Sequence, residues 1–199
     1  MSKKYQKCTW QMPCGPHSLV EYAKTNPVPM FALLLYSLLN YKSGWDTGRS
    51  HKRSFRDLAV LTGVYKKNKK GKWTGKSRVV NAVKWLCDNG WLIKKVGKNG
   101  EPNNYQIIHH NCAPEDVPLD DDGRPKKCAT PHGEGSAFEK MFAGEISWQA
   151  CLYHTVAKIA SNWTDGVVRF TIKESQKWLR FSSQTICCLL YTSPSPRDS

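Results

Sequence analysis

Residues 65–76 read YKKNKKGKWTGK, six lysines in twelve positions without a carboxylate. Lysine is a flexible point charge lacking the planar fork that reads base edges, so such a run suits phosphates. Neutralising phosphates releases condensed counterions, which favours binding on any sequence. Lys66, Lys67, Lys69, Lys70 and Lys72 are therefore expected to hold a phosphate backbone. The next stretch, SRVVNAVKWLCDNG (77–90), has helical spacing: Val79, Ala82, Val83 and Leu86 share one face. The other face carries Ser77, Arg78, Asn81 and Lys84, with Lys76 at the start. Arginine pairs bidentately with guanine and asparagine with adenine, so Arg78 and Asn81 are candidate base readers. The competing reading is an ordinary solvated helix face.

Charge distribution points the same way. The net charge is +14, and Arg49 to Arg78 holds eleven Lys and Arg against Asp57 alone. That concentration favours a polyanionic partner, nucleic acid ahead of an anionic membrane. The N-terminal MSKKYQKCTWQMPCGPH has no apolar core of an export signal. The longest apolar run, MFALLLYSLL (30–39), is too short to span a bilayer and reads as a buried helix. Eight cysteines without such a signal suggest reduced thiols or metal ligands in a cytoplasm.

Catalytic patterns are missing from the sequence: it has no P-loop, G-x-S-x-G or H-E-x-x-H. Asp120, Asp121 and Asp122 have the oxygens for magnesium, but their Pro- and Gly-flanked loop is poor scaffolding. His109, Cys112, Cys128 and His132 form H-x2-C-x15-C-x3-H, the donor types of tetrahedral zinc. The intervening loop is acidic and neither half carries a two-cysteine knuckle, so no metal is expected there. Cys8, Cys14 and His17 are a weaker set still. The expectation is a non-enzymatic chain without cofactor.

These residues need elements to position them. Residues 1–28 read as loosely ordered, punctuated by Pro13, Gly15, Pro16, Asn26 and Pro27. Pro29 opens a buried helix to about Tyr41, and GRSHKRS (48–54) is a candidate for a very short strand. SFRD (54–57) is a capping box opening a helix that Gly63 stops. After the third helix, WLIKKV (91–96) and YQIIHH (105–110) form a hairpin with a polar, Gly-bearing tip. Lys94, Lys95, Lys98 and Asn99 could reach a backbone from that hairpin, Lys98 best of the four; a solubilising edge is the alternative. Trp85, Trp91 and Leu92 are expected in the core. Trp73 has two options, stacking on an unpaired base or packing on the domain, and packing is the expectation.

Residues 111–145 read as an acidic Pro/Gly linker. Beyond it the pattern partly repeats: an amphipathic helix over 147–163, a VVRF strand, a TIKE capping box (171–174) and a Ser-initiated helix. A second domain over 146–187, cut inside its third helix, is the expectation. The last residues, CLLYTSPSPRDS (188–199), resemble what one frame of a transposase-based sequencing adapter encodes, and are expected to be non-native.

Helix, short strand, helix, turn, helix, hairpin over residues 29–110 resembles the winged helix-turn-helix family of phage and plasmid replication-initiation proteins. FALLLYSLLNYKSG, SFRDLAVLTGV and SRVVNAVKWLCDNGWLIKK carry the resemblance, most specifically VVNAVKWLxxxGWL. It implies a mainly α chain with small β-hairpin wings (α+β), in two tandem copies with the second truncated. It further implies double-stranded DNA read by the third helix, origin binding and host replication proteins as partners in the cytoplasm of a bacterial host cell; a homodimer stays open, and no membrane is expected. A transcriptional regulator of the same fold and a protein-interaction module of a replisome or partition complex are the alternatives. The long lysine insertion departs from the family pattern, in which the turn takes only a few residues.

Overall fold

The structure is a computed structural model that describes residues 19–41, 52–97, 101–107, 136–160 and 171–191. α1 (Leu19–Thr25) comes first, where the sequence predicts only a loose segment. Leu19 and Ala23, one turn apart, bury its inner face, and the Asn26 side chain bonds the Tyr22 carbonyl oxygen at its end. α2 (Met30–Tyr41) begins where Pro29 predicts, its first turn closed onto the Pro29 carbonyl. Every residue from Phe31 to Leu39 is buried. Such a helix has no solvent face, so the other elements must surround it. The buried Ser37 hydroxyl bonds the Leu33 carbonyl four residues back, so burial leaves it satisfied.

α3 (Phe55–Leu61) follows the predicted capping box, with Ser54 and Asp57 bonded reciprocally. Gly63 takes the expected left-handed φ of 67° beyond the Thr62 cap. The lysine run then forms a hairpin of β1 (Lys66–Lys67) and β2 (Trp73–Thr74), not an unstructured turn. α4 (Lys76–Asp88) buries Val79, Ala82, Val83 and Leu86, the face its spacing predicts. It packs on α2 and α3. β3 (Leu92–Lys95) and β4 (Asn104–Ile107) pair antiparallel, Leu92 opposite Ile107, with Tyr105 also buried. Arg53 joins this sheet by a single bridge to Asn103, so the predicted very short strand is one residue deep. Trp91 and Leu92 are core residues as expected, and Trp85 packs against the core half-buried. Trp91 meets Tyr22 at 5.6 Å and Tyr36 at 5.9 Å, edge to face, tying α1 and α2 to the turn before β3.

Four helices follow: α5 (Ala137–Phe142), α6 (Trp148–Ala160), α7 (Ile172–Leu179) and α8 (Ser183–Tyr191). The expected linker thus ends before Ser136, which caps α5 by accepting from the Glu139 N–H. α8 continues through Tyr191, four residues into the segment read as non-native. The predicted Thr171–Glu174 capping box is present, while the VVRF segment lies outside the described residues. Phe138, Met141, Cys151, Leu152, Val156 and Leu179 join the same buried cluster as α2 instead of enclosing a separate core. Phe31 and Trp148, ring centroids 5.3 Å apart, form part of that joint. Architecture is therefore mixed: helices with two small antiparallel sheets. Among the described residues, no helix is long and apolar enough to cross a membrane.

The capping box makes a pH prediction. Hydrogen bonds from the Ser54 backbone N–H and then its hydroxyl, helped by Arg53 and Arg56, hold the Asp57 carboxyl below its ordinary value. A depressed folded value stabilises above the ordinary carboxylate pKa, near ~3.9, and that stability goes as pH falls through the folded value. Urea denaturation should show Asp57→Asn less stable by about 0.3–1 kcal/mol at neutral pH. The gap should close in acid below the carboxylate range; a gap that persists there would show that charge plays no part.

Candidate nucleic-acid interface

Packing decides which α4 side chains remain outside. With Val79, Ala82, Val83 and Leu86 buried, Lys76, Ser77, Arg78, Asn81 and Lys84 are all exposed, as their spacing predicts. Ser77, Asn81, Lys84 and Asp88 lie at intervals of four, three and four, one stripe along the helix. Lys84 is engaged within that stripe: its Nζ is hydrogen-bonded to Asp88 Oδ2, which raises the ammonium pKa. Such an exposed i,i+4 pair is weak and readily exchanged for another anion.

The β1–β2 hairpin stands between α3 and α4. Val64 and Tyr65 N–H groups both bond the Ala59 carbonyl oxygen at 3.0 Å, fixing the entry to the end of α3. At the tip, Asn68 Oδ1 accepts from the Lys70 and Lys72 N–H groups, and its backbone N–H donates to the Lys72 carbonyl. The exit is Gly75, in left-handed φ of 99°, which caps α4 without a side chain. Lys66, Lys67, Lys69, Lys70 and Lys72 are all exposed. No Asp or Glu occurs between residues 58 and 87, so neither the hairpin nor most of α4 brings an anion of its own. On the hairpin face Tyr65 and Trp73 stack at 4.5 Å, only 5° from parallel. Arg56 lies 5.5 Å from the Tyr65 ring and Lys67 lies 5.4 Å from Trp73. Trp73 thus packs on a tyrosine at the surface, leaving it 50% exposed, not within the domain core.

Arg78 behaves differently from the rest of its helix. Its guanidinium is 5.9 Å from the Phe31 ring and 5.7 Å from Trp148, at the joint between α2 and α6. A cleft of about 740 Å³ opens beside it, lined by Ser77, Gly75 and Lys66 on one side and Gly144, Glu145 and Gln149 on the other. The turn between α5 and α6 therefore flanks the N-terminal end of α4.

Comparison with protein-family models, curated proteins and solved structures returns no match. Function has to be read from this surface alone. Lys98, Asn99 and the four donors weighed for zinc, His109, Cys112, Cys128 and His132, lie outside the described residues, as do Asp120, Asp121 and Asp122. Lys94 leans 5.2 Å from the Phe55 ring, whereas Lys95 is exposed. Among the described residues, no group of three or more His, Cys, Asp or Glu could hold a metal. Sequence reasoning missed the aromatic stack and the proximity of Trp148 to Arg78. The first had a signal, since N-K-K-G between KK and WT is a turn between short arms; the second had none.

Gly75 is the joint that aims the hairpin relative to α4. A Cβ there would lie 2.0 Å from the Val64 carbonyl oxygen, whereas one at Gly71, φ 74°, would meet nothing. Gly75→Ala should cost upwards of about 2 kcal/mol and Gly71→Ala about 1 kcal/mol by chemical denaturation. Equal costs would mean that the Val64 carbonyl does not constrain the joint.

Proposed function

We propose that this chain binds double-stranded DNA through a winged helix-turn-helix surface, with α4 as the reading helix and the β1–β2 hairpin as a phosphate clamp. The element order α2, Arg53 bridge, α3, α4, β3, β4, with the β1–β2 hairpin inserted between α3 and α4, supports the winged-helix reading. One observation carries the proposal: the lysine hairpin joins the exposed α4 face directly through Gly75, with no carboxylate in between. Cations on both then face one polyanion, and α4 has polar groups suited to base edges. By resemblance, the role is initiation of phage or plasmid replication at origin DNA. Residues 146–187 are read as a partial second copy of the domain.

Arg78 adds a condition to base reading. Leaving Phe31 and Trp148 costs roughly 0.5–1 kcal/mol per ring at an exposed site. A good bidentate pair with guanine contributes ~1–3 kcal/mol. Only a well-formed pair draws the guanidinium off its rings, so imperfect sites gain little from it.

Salt-titrated binding tests the clamp. Replacing Lys66, Lys67, Lys69, Lys70 and Lys72 by Gln should flatten the log–log salt slope by up to ~0.9 for each phosphate that is no longer neutralised. An unchanged slope would leave the lysines as a solubilising surface and favour a protein-interaction module. Arg78→Ala should weaken a cognate site by up to about 2 kcal/mol, the pairing gain less the two ring contacts given up, and random DNA far less. Equal losses on both would refute base reading by Arg78.

A further inference from the structure

We infer that Tyr65 and Trp73 form a stacking platform for an unpaired nucleobase, so that the hairpin grips single-stranded nucleic acid. Such a grip goes beyond duplex binding and stands without it.

A hairpin with arms of two residues gains little from its own ladder, yet this one exposes half of a tryptophan. Trp73 lies on Tyr65 at 4.5 Å and nearly parallel, so the two rings form a rigid slab. The far face of Tyr65 is occupied by Arg56 at 5.5 Å, which anchors the slab to α3. Beside Trp73 lies the Lys67 ammonium, at 5.4 Å, on an exposed side chain from the facing strand.

The two kinds of interaction differ in strength. Stacking one base on an aromatic ring is worth roughly 5- to 150-fold in affinity. An exposed cation–π interaction is worth roughly 2- to 5-fold. A base therefore displaces the ammonium from the Trp73 face, and Lys67 is left within reach of the phosphate that accompanies that base. Lys66, Lys69, Lys70 and Lys72 are exposed on the same hairpin and supply the positive charge that a single strand would follow. Every base has a π face, so the platform tolerates any sequence. Duplex DNA keeps its bases stacked inside and offers Trp73 nothing comparable.

Fluorescence anisotropy with the full chain separates this from a stack that merely props the hairpin. The probes are an oligothymidylate of about 12 nucleotides, an oligouridylate of that length, an abasic backbone of that length and a matching duplex. The wild-type chain should bind oligothymidylate or oligouridylate at least about 5-fold more tightly than the abasic strand. Whichever is tighter names the strand as DNA or RNA. Trp73→Ala should remove that difference, and Trp73→Phe should keep most of it. Equal wild-type affinity for the abasic and base-bearing strands would overturn the platform without any variant. So would a Trp73→Ala loss equal on base-bearing strand, abasic strand and duplex. Should duplex binding fail while the base-dependent difference persists, the duplex reading falls and the platform remains.

Discussion

A helix that is apolar on every side has to be covered on every side. α2 imposes that demand, with Phe31 through Leu39 all buried. α4 covers one flank, β4 another and α6 a third. Burying one leucine stabilises by about 1.5–3 kcal/mol, and α2 supplies five: Leu33, Leu34, Leu35, Leu38 and Leu39. The helices after residue 136 are drawn onto the first part of the chain because α2 leaves an apolar flank that α3, α4 and the sheet do not close. The face of α4 turned away from α2 is exposed as a result, so the core helix decides which α4 side chains remain available to a ligand.

Local rules were readable where a short stretch of chain decides the outcome. Ser54–Asp57 and Thr171–Glu174 are capping boxes because each needs only residues three apart. The buried stripe of α4 follows from helical spacing alone. Where packing at a distance decides, the sequence was silent. α1 exists because Leu19 and Ala23 join the common core, Tyr22 meets Trp91 and the helix packs on α7, and nothing within residues 19–25 announces those partners. That the helices after residue 136 share a buried cluster with α2 was equally hidden, since no periodicity reports which apolar face meets which. Exposure of the candidate DNA-facing residues was legible; the engagement of Arg78 by Phe31 and Trp148 was not.

Charge and aromatic character are segregated with a logic of their own. Between residues 58 and 87 the chain places cations and three aromatic residues but no acid. Of the aromatics, Trp85 faces inward, while Tyr65 and Trp73 pair on the hairpin. The nearest carboxylates mark the edges: Asp57 is committed to its cap and Asp88 to Lys84. Each acid that flanks the basic stretch in sequence is thus occupied within its own helix or at its start.

The fastening of the hairpin has a mechanical consequence. One end is bonded to the Ala59 carbonyl at the close of α3, and the other turns into α4 through a glycine that tolerates no side chain. Lysines on an untethered loop would work as a leash, free to find any phosphate within reach. Fastened at both ends, these lysines stand at a set distance from Ser77 and Asn81, and the pair of elements works as a ruler. On the proposed reading, strain in the backbone of a bound duplex would be felt at the α4 face, so groove geometry and base identity would be measured together.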